Sequence, residues 1–161
     1  MNFIDKTIKY LGYFTAFISA MLVLVIVYDA TARYLFSSGS VALQELERYL
    51  FDIVILFGIA YALRENVHVR VDIFYASFSK KKAAFIDMIS MIFFVLPLSF
   101  LIIYIGVEFV YASFIQNEAS SNPGGFTHLF LLKALMPLSF IFLLLQALRE
   151  ALISYNIWRS A

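Results

Sequence analysis

The feature that most constrains this chain is a series of four long apolar segments. They cover approximately residues 10–28, 43–63, 88–107 and 126–148, and the first and third contain no charged residue. A helix needs about 20 apolar residues to cross the hydrocarbon layer of a bilayer. In that layer only helices and closed barrels satisfy their own backbone hydrogen bonds. The pattern therefore predicts an all-α integral membrane protein with four transmembrane helices.

The composition excludes several other classes of protein. Charged residues make up 14% of the chain and hydrophobic residues 63%, whereas soluble domains have about 25% and 45–50%. The net charge of +1 provides no basic surface for nucleic acid, and the lack of cysteine excludes disulfides and iron–sulfur clusters. We expect one membrane domain over residues 1–161, with spans at about 10–33, 43–63, 84–110 and 126–150.

The distribution of lysine and arginine predicts the orientation of these helices. Cytoplasmic loops of membrane proteins are enriched in basic residues. Three residues, Arg33, Arg48 and Lys133, fall on one side of the four spans. Nine fall on the other side: Lys6, Lys9, Arg64, Arg70, Lys80, Lys81, Lys82, Arg149 and Arg159. The N terminus, the C terminus and the 64–82 loop are therefore predicted to be cytoplasmic.

The 64–82 loop has its own pattern. Valine and isoleucine alternate with His68, Arg70 and Asp72, and aromatic residues then precede Lys80, Lys81 and Lys82. Apolar residues beside a lysine cluster are typical of an amphipathic segment in the membrane interface. An ordinary cytoplasmic loop whose lysines reach the lipid headgroups fits equally well.

Charged residues in the second segment are the unusual feature of the sequence. Asp52 lies 12 residues before Arg64, which places it about 18 Å into the membrane. An Asp or Arg at the centre of a spanning helix costs about 2.5–3.5 kcal/mol. Each Leu, Ile, Val or Phe returns only about 0.3–0.6 kcal/mol. The charges in this segment therefore need partners.

The spacing of the charges suggests some of these partners. Glu45, Arg48 and Asp52 share one helix face, and Arg48 can bridge both carboxylates. In the first segment, Asp29 and Arg33 are four residues apart near the same membrane surface. The predicted cluster consists of Asp29, Arg33, Glu45, Glu47, Arg48 and Asp52. It could hold helices one and two together, bind a second membrane protein, or relay ions. The relay is disfavoured because Arg48 would neutralise the carboxylates.

Other patterns predict no catalytic or metal site. His68 and His128 fall on opposite sides of the membrane, so they cannot share a haem or a metal ion. His68 and Asp72 are four residues apart, and a structural contact explains them better than catalysis. Pro97 and Pro137 lie inside spanning segments and are expected to kink them. We expect a protein that is not an enzyme and has no cofactor of its own.

The order of several short motifs resembles a known family. Gln44-Glu45-Leu46-Glu47-Arg48-Tyr49-Leu50-Phe51 follows Arg33-Tyr34, and Gly58-Ile59-Ala60-Tyr61 and His68-Val69-Arg70-Val71-Asp72 come next. Together they resemble the small membrane subunit, called DctQ-like, of tripartite ATP-independent periplasmic (TRAP) transporters. The resemblance covers nearly the whole chain. Gln44 replaces the first acid of the family pattern, so Glu45 carries the match.

The resemblance implies a supporting role in transport. In such systems a periplasmic substrate-binding protein captures an organic acid, and a large membrane subunit moves it with sodium by an elevator-type motion. The small subunit packs on the fixed scaffold of the large one in the bacterial inner membrane, among lipids. Two alternatives stay open: a small oligomeric transporter or channel that acts alone, and a membrane anchor of a respiratory complex.

Overall fold

The secondary structure of the chain is helical throughout the part that can be described. A computed structural model describes residues 2–65, 78–122 and 125–160. Within these ranges there are helices and turns, and no strand. The all-α class predicted from the sequence is therefore confirmed for these residues.

Two long helices form the first half of the molecule. Helix α1 spans Asn2–Phe36 and α2 spans Val41–Arg64. Residues 37–40 join them, and Ser37 has a left-handed backbone with a φ of 50°. Ser38 N donates a hydrogen bond to Ala32 O at 3.1 Å, which satisfies a carbonyl at the end of α1. The two helices therefore run antiparallel after a short turn.

The second half begins with a helical rod made of three pieces. Helix α3 spans Lys80–Ser90, a π-helical turn spans Met91–Val95, and α4 spans Leu96–Ile115. Helix α3 begins after Ser79, whose Oγ accepts a hydrogen bond from Lys82 N at 3.3 Å. This N-terminal cap fixes where the rod starts.

The last part of the chain contains one short and one long helix. Helix α5 spans Leu129–Lys133 and α6 spans Leu135–Ser160. The loop between α4 and α5 has left-handed backbone at Asn117 and His128, with φ of 45° and 67°. Helix α5 begins at Leu129, three residues later than the fourth span predicted from the sequence, because the preceding residues fold against α2. At most other ends the helices extend beyond the predicted spans.

Pro97 and Pro137 lie where the helical hydrogen bonding changes. Pro97 is the second residue of α4, which follows the π-helical turn, and Pro137 is the third residue of α6, just after α5 ends. Proline has no N–H and cannot bond to the carbonyl four residues earlier. Turns of π-helix and helix breaks are common responses to such a missing bond. The kinks expected at Pro97 and Pro137 stay a prediction.

Helix α6 occupies the centre of the bundle. It packs against α2 on one side and against α3 and α4 on the other, while α1 packs mainly on α2. Asp5, near the start of α1, contacts Arg64 at the end of α2 and Arg149 in the second half of α6, so the starting end of α1 and the final ends of α2 and α6 lie on one side. We call this side the terminal end. The opposite side, with residues 37–40, 116–122 and 125–128, is the loop end.

The contacts between helices use small residues, while large apolar residues face outward. Ala60, Ala147 and Ser99 are fully buried, whereas Phe93 and Phe94 are about 70% exposed. Small residues allow close helix packing in membranes. Three helical stretches are long and apolar enough to cross a bilayer: Phe3–Phe36, Lys80–Ile115 and Leu129–Ser160. Helix α2 has 24 residues, which is long enough, but charges interrupt it.

Candidate functional site

The predicted charge cluster is divided into separate groups. On α1, Arg33 Nη2 lies 2.7 Å from Oδ2 of Asp29, which is fully buried. The geometry of this pair is poor, because neither oxygen of Asp29 accepts a well-formed hydrogen bond within the described residues. In the same part of the chain no ion pair joins Asp29 or Arg33 to α2. The single cluster predicted across helices one and two is therefore not formed.

Glu45, the fifth residue of α2, instead holds the loop between α4 and α5. Its carboxylate accepts hydrogen bonds from Phe126 N at 2.8 Å and from Asn122 Nδ2 at 3.0 Å. Ser120 Oγ donates to the same carboxylate, and Tyr49 OH lies 3.3 Å from it. The side chain is 3% exposed. Four donors thus compensate a buried charge, as burial of an ion requires.

The loop is ordered around this carboxylate by its own hydrogen bonds. Ser120 N donates to Phe126 O at 2.9 Å, and Gly125 N donates to Asn122 O at 3.0 Å. Gly125 lies so close to Glu45 that a Cβ atom there would be 2.8 Å from Oε1. A glycine is therefore required for the loop to close over the carboxylate. We call Glu45, Tyr49, Ser120, Asn122 and Phe126 the loop-end clasp.

Arg48 and Asp52 do not form the predicted ion pair. Arg48 Nη2 lies 3.9 Å from Glu45 Oε1, and its guanidinium lies 5.3 Å from the centre of the Tyr49 ring. No ion pair joins Arg48 to Asp52 in the described part of the chain, so Arg48 does not bridge the two carboxylates as predicted. Asp52 has no ion pair among the described residues. Glu47 Oε1 is buried and likewise has no hydrogen-bond partner there.

Asp52 lines a groove between α2 and the start of the last helical stretch. The groove has a volume of about 260 Å³, and its other lining residues are Ile55, Leu56, Leu132, Lys133 and Met136. Lys133 pairs with Glu118 and lies 3.9 Å from the centre of the Phe109 ring. Its charge is therefore already compensated. Asp52 is left as an acid in a mainly apolar groove.

The terminal end contains an ionic network that the sequence analysis missed. Arg64 Nε and Arg149 Nη2 lie 3.0 and 3.1 Å from Asp5 Oδ1. Arg149 Nη1 also donates to Glu150 Oε1 at 2.7 Å, and Gln146 Nε2 donates to the same oxygen at 2.8 Å. We call these five residues the terminal-end network. It joins α1, α2 and α6 through one aspartate.

The sequence places these residues in three distant regions and gives only weak signals of their contact. Gln146 and Glu150 are four residues apart on one helix, which indicates a local pair. Arg64 and Arg149 could be read only as basic residues that set the orientation. The pairing with Asp5 depends on how α1 and α6 meet, which a single sequence does not encode locally.

The pattern of helices and buried charges can be compared with known protein families. The sequence matches the DctQ component of tripartite ATP-independent periplasmic transporters over residues 22–155. The chain belongs to the DctQ family. The resemblance found in the sequence is thereby confirmed. No match is found among the curated proteins.

As a member of the DctQ family, this chain is a multi-pass membrane protein and the small component of a TRAP transporter. The partners of such a component are a large membrane subunit and a periplasmic binding protein. The matched range contains the whole loop-end clasp, whereas Asp5 of the terminal-end network precedes it. The clasp is therefore part of the family region of this chain.

Two groups of predicted residues remain to be placed in this DctQ protein: the motif of the 64–82 loop and the lysines that follow it. His68, Arg70 and Asp72 fall outside the described residues, as does most of the predicted interfacial segment. Lys80, Lys81 and Lys82 form the first turn of α3 and are exposed. Lys82 Nζ lies 4.2 Å from the centre of the Phe78 ring. Within the described ranges no three His, Asp or Glu side chains are grouped to hold a metal ion.

Proposed function

We propose that this chain is the small, non-catalytic scaffold subunit of a sodium-coupled secondary importer of organic acids. It works with a large membrane subunit, which carries substrate and sodium, and with a periplasmic substrate-binding protein. It lies in the bacterial inner membrane with four spanning helices and with both termini in the cytoplasm. The family supports the class of complex, and the finer statements rest on the arguments below.

The main observation that supports the scaffold role is the lack of a charged partner for Asp52 among the described residues. Its carboxylate has no ion pair among the described residues and lines a groove whose other polar residue, Lys133, already pairs with Glu118. An acid at membrane depth is costly without a partner, and such residues usually face another protein element. We infer that a basic or hydrogen-bonding side chain of the large subunit meets Asp52 in this groove.

The other buried acids support a structural role. Glu45 is occupied by donors of its own chain, and Asp29 is paired with Arg33. Neither carboxylate is available to bind a transported cation without breaking these contacts. This supports placing the sodium sites in the large subunit.

The scaffold role is tested by co-purification with the large subunit. Replacing Asp52→Asn removes the charge and keeps the size of the side chain. We expect less large subunit to be recovered with the tagged small one, and substrate uptake by cells to fall with it. Arg48→Ala is expected to act in the same direction, because the exposed Arg48 lies at the same face of α2.

The matched control is Lys9→Gln, which removes one charge from an exposed position near the start of α1. It should leave recovery and uptake unchanged. Wild-type assembly and uptake in both the Asp52 and Arg48 variants would refute the proposed contact. Substrate or ion movement by the purified chain alone in liposomes would instead establish the transporter or channel alternative.

A further inference from the structure

A second apolar groove lies between the α3–α4 rod and α6. It has a volume of about 400 Å³. Its walls are formed by Met88, Ile92, Leu96, Leu148, Leu152 and Tyr155. Ile92, Leu152 and Tyr155 are each about half-exposed, so the groove is open to its surroundings. It runs along the helices from the terminal end towards the middle of the bundle.

The groove ends beside a pair of aromatic rings. The Phe85 and Trp158 ring centres are 5.9 Å apart and connect α3 to α6. Trp158 also contacts Tyr155, which lines the groove, with 6.2 Å between the ring centres. Tryptophan and tyrosine are enriched at the level of lipid headgroups. The rings therefore mark the end of the groove that is suited to a membrane surface.

Basic side chains surround this end of the groove. Lys81 precedes Met88 by seven residues, and Arg159 follows Tyr155 by four. Both therefore lie on the helix faces that form the groove walls. In the described ranges Lys80, Lys81 and Arg159 are exposed and make no ion pair.

Two other arginines of the terminal end, by contrast, form ion pairs. Arg64 and Arg149 are compensated by acids of the same chain. The uncompensated positive charge next to the groove thus comes from Lys80, Lys81 and Arg159. An apolar groove with positive charge at one end suits an amphiphilic molecule with an anionic headgroup.

We propose that the groove binds one anionic phospholipid. Lys80, Lys81 and Arg159 contact its phosphate, and an acyl chain lies along the groove between the α3–α4 rod and α6. The planar guanidinium of arginine suits phosphate oxygens, and lysines near a membrane surface attract anionic lipids. A soluble phosphate would contact the basic side chains but leave the apolar groove empty. An apolar partner helix would fill the groove but leave the basic side chains without a partner.

The proposal is tested by native mass spectrometry of the full chain. The protein is purified in detergent, stripped of lipid, and titrated with phosphatidylglycerol or with phosphatidylcholine that has the same acyl chains. We expect one phosphatidylglycerol per chain, bound more tightly than phosphatidylcholine. The double variant Lys81→Gln/Arg159→Gln should weaken phosphatidylglycerol binding by about fivefold per removed charge. It should weaken phosphatidylcholine binding less, because the choline cation already offsets the charge of that lipid's phosphate.

Two further variants separate a built site from general attraction. Lys6→Gln/Lys9→Gln removes the same charge from exposed positions of α1, on a helix that does not line the groove, and should keep the preference. Leu152→Trp fills the groove and should weaken binding of both lipids while all charges remain. Circular dichroism of each variant verifies that the helices are retained.

Three results would overturn the proposal. Equal binding of the two lipids would exclude a headgroup site. An equal loss in the Lys6/Lys9 control would show general surface attraction only. Loss of the bound lipid when the large membrane subunit is co-purified would assign the groove to a partner helix instead.

Discussion

At the scale of single residues, Glu45 shows what a buried charge in a membrane helix does when its partners are far away in sequence. The cost of burial predicted that Glu45 needs partners. It did not predict that they would be Ser120, Asn122 and the backbone of Phe126, which follow it by 75–81 residues. Helical spacing reveals partners within one helix, whereas contacts with a distant loop depend on the tertiary fold. The sequence therefore identified the important residue and its neighbour Arg48, but it did not identify the donors in the distant loop.

The clasp can be tested with Glu45→Gln. The amide cannot accept as many hydrogen bonds as the carboxylate, so the loop should open more often. The chain has no cysteine, and a single Ser121→Cys replacement at an exposed loop position gives a site for maleimide labelling. We expect labelling several-fold faster in the Glu45 variant. Glu108→Gln serves as the control, and an unchanged labelling rate in the Glu45 variant would show that the clasp does not hold the loop.

The Glu118–Lys133 pair predicts a dependence on pH. The hydrogen bond from Lys133 holds the pKa of the Glu118 carboxyl below its usual value of 4.5. Because the folded-state pKa is lowered, the pair stabilises the fold above pH 4.5 and loses this effect as the pH falls through the lowered pKa. Thermal unfolding in detergent should therefore show a steeper loss of stability below pH 4.5 in the wild type than in Glu118→Gln. Parallel curves for the two proteins would refute this contribution.

At the scale of helices, hydrophobic patterning predicted the four long helical units but not their irregularities. Apolar runs are a strong local signal, which is why these units were found. The π-helical turn at Met91–Val95 has no such signal beyond the proline that follows it. Helix α2 was found in spite of its charges, because 11 apolar or small residues follow Asp52 without interruption. The sequence predicted that α1 and α2 meet through their charged residues. It did not predict their close contact at Gly12, because a glycine alone does not reveal which residue packs against it.

The contact between α1 and α2 is tested by a pair of glycine replacements. A Cβ at Gly12 would overlap the ring of Tyr61, whereas a Cβ at Gly58 would meet no atom within 4 Å. Gly12→Ala should therefore lower the stability by about 1–3 kcal/mol. Gly58→Ala should leave it unchanged or raise it by up to about 1 kcal/mol, because alanine favours helix. Thermal unfolding followed by circular dichroism measures both, and equal effects would show that Gly12 is not a contact point.

At the scale of the whole molecule, the fold brings both described ends of the chain to one side. Asp5 on α1 lies against Arg149 on α6, and the two loops lie at the other side. An even number of antiparallel helical units produces this arrangement. It agrees with the charge distribution along the chain, which predicted the same side for both termini. The orientation in the membrane stays a prediction.

The orientation is tested with single cysteines at exposed serines. We expect Ser38→Cys and Ser121→Cys to react with a membrane-impermeant maleimide added outside spheroplasts. Ser160→Cys should react only after lysis, because the terminal end is proposed to be cytoplasmic. All three positions are exposed, so access depends on the side of the membrane. Reaction of Ser38 and Ser121 on opposite sides would contradict four spans.

The two ionic groups at opposite ends have a mechanical consequence. The loop-end clasp ties α2 to the segment that leads into α6, and the terminal-end network ties α2 to α6 again through Asp5. Two helices that are joined at both ends resist sliding along each other much more than two helices held by apolar contacts alone. A stiff small subunit would suit the scaffold role proposed above, because deformation of a fixed support would absorb part of the movement of the mobile part.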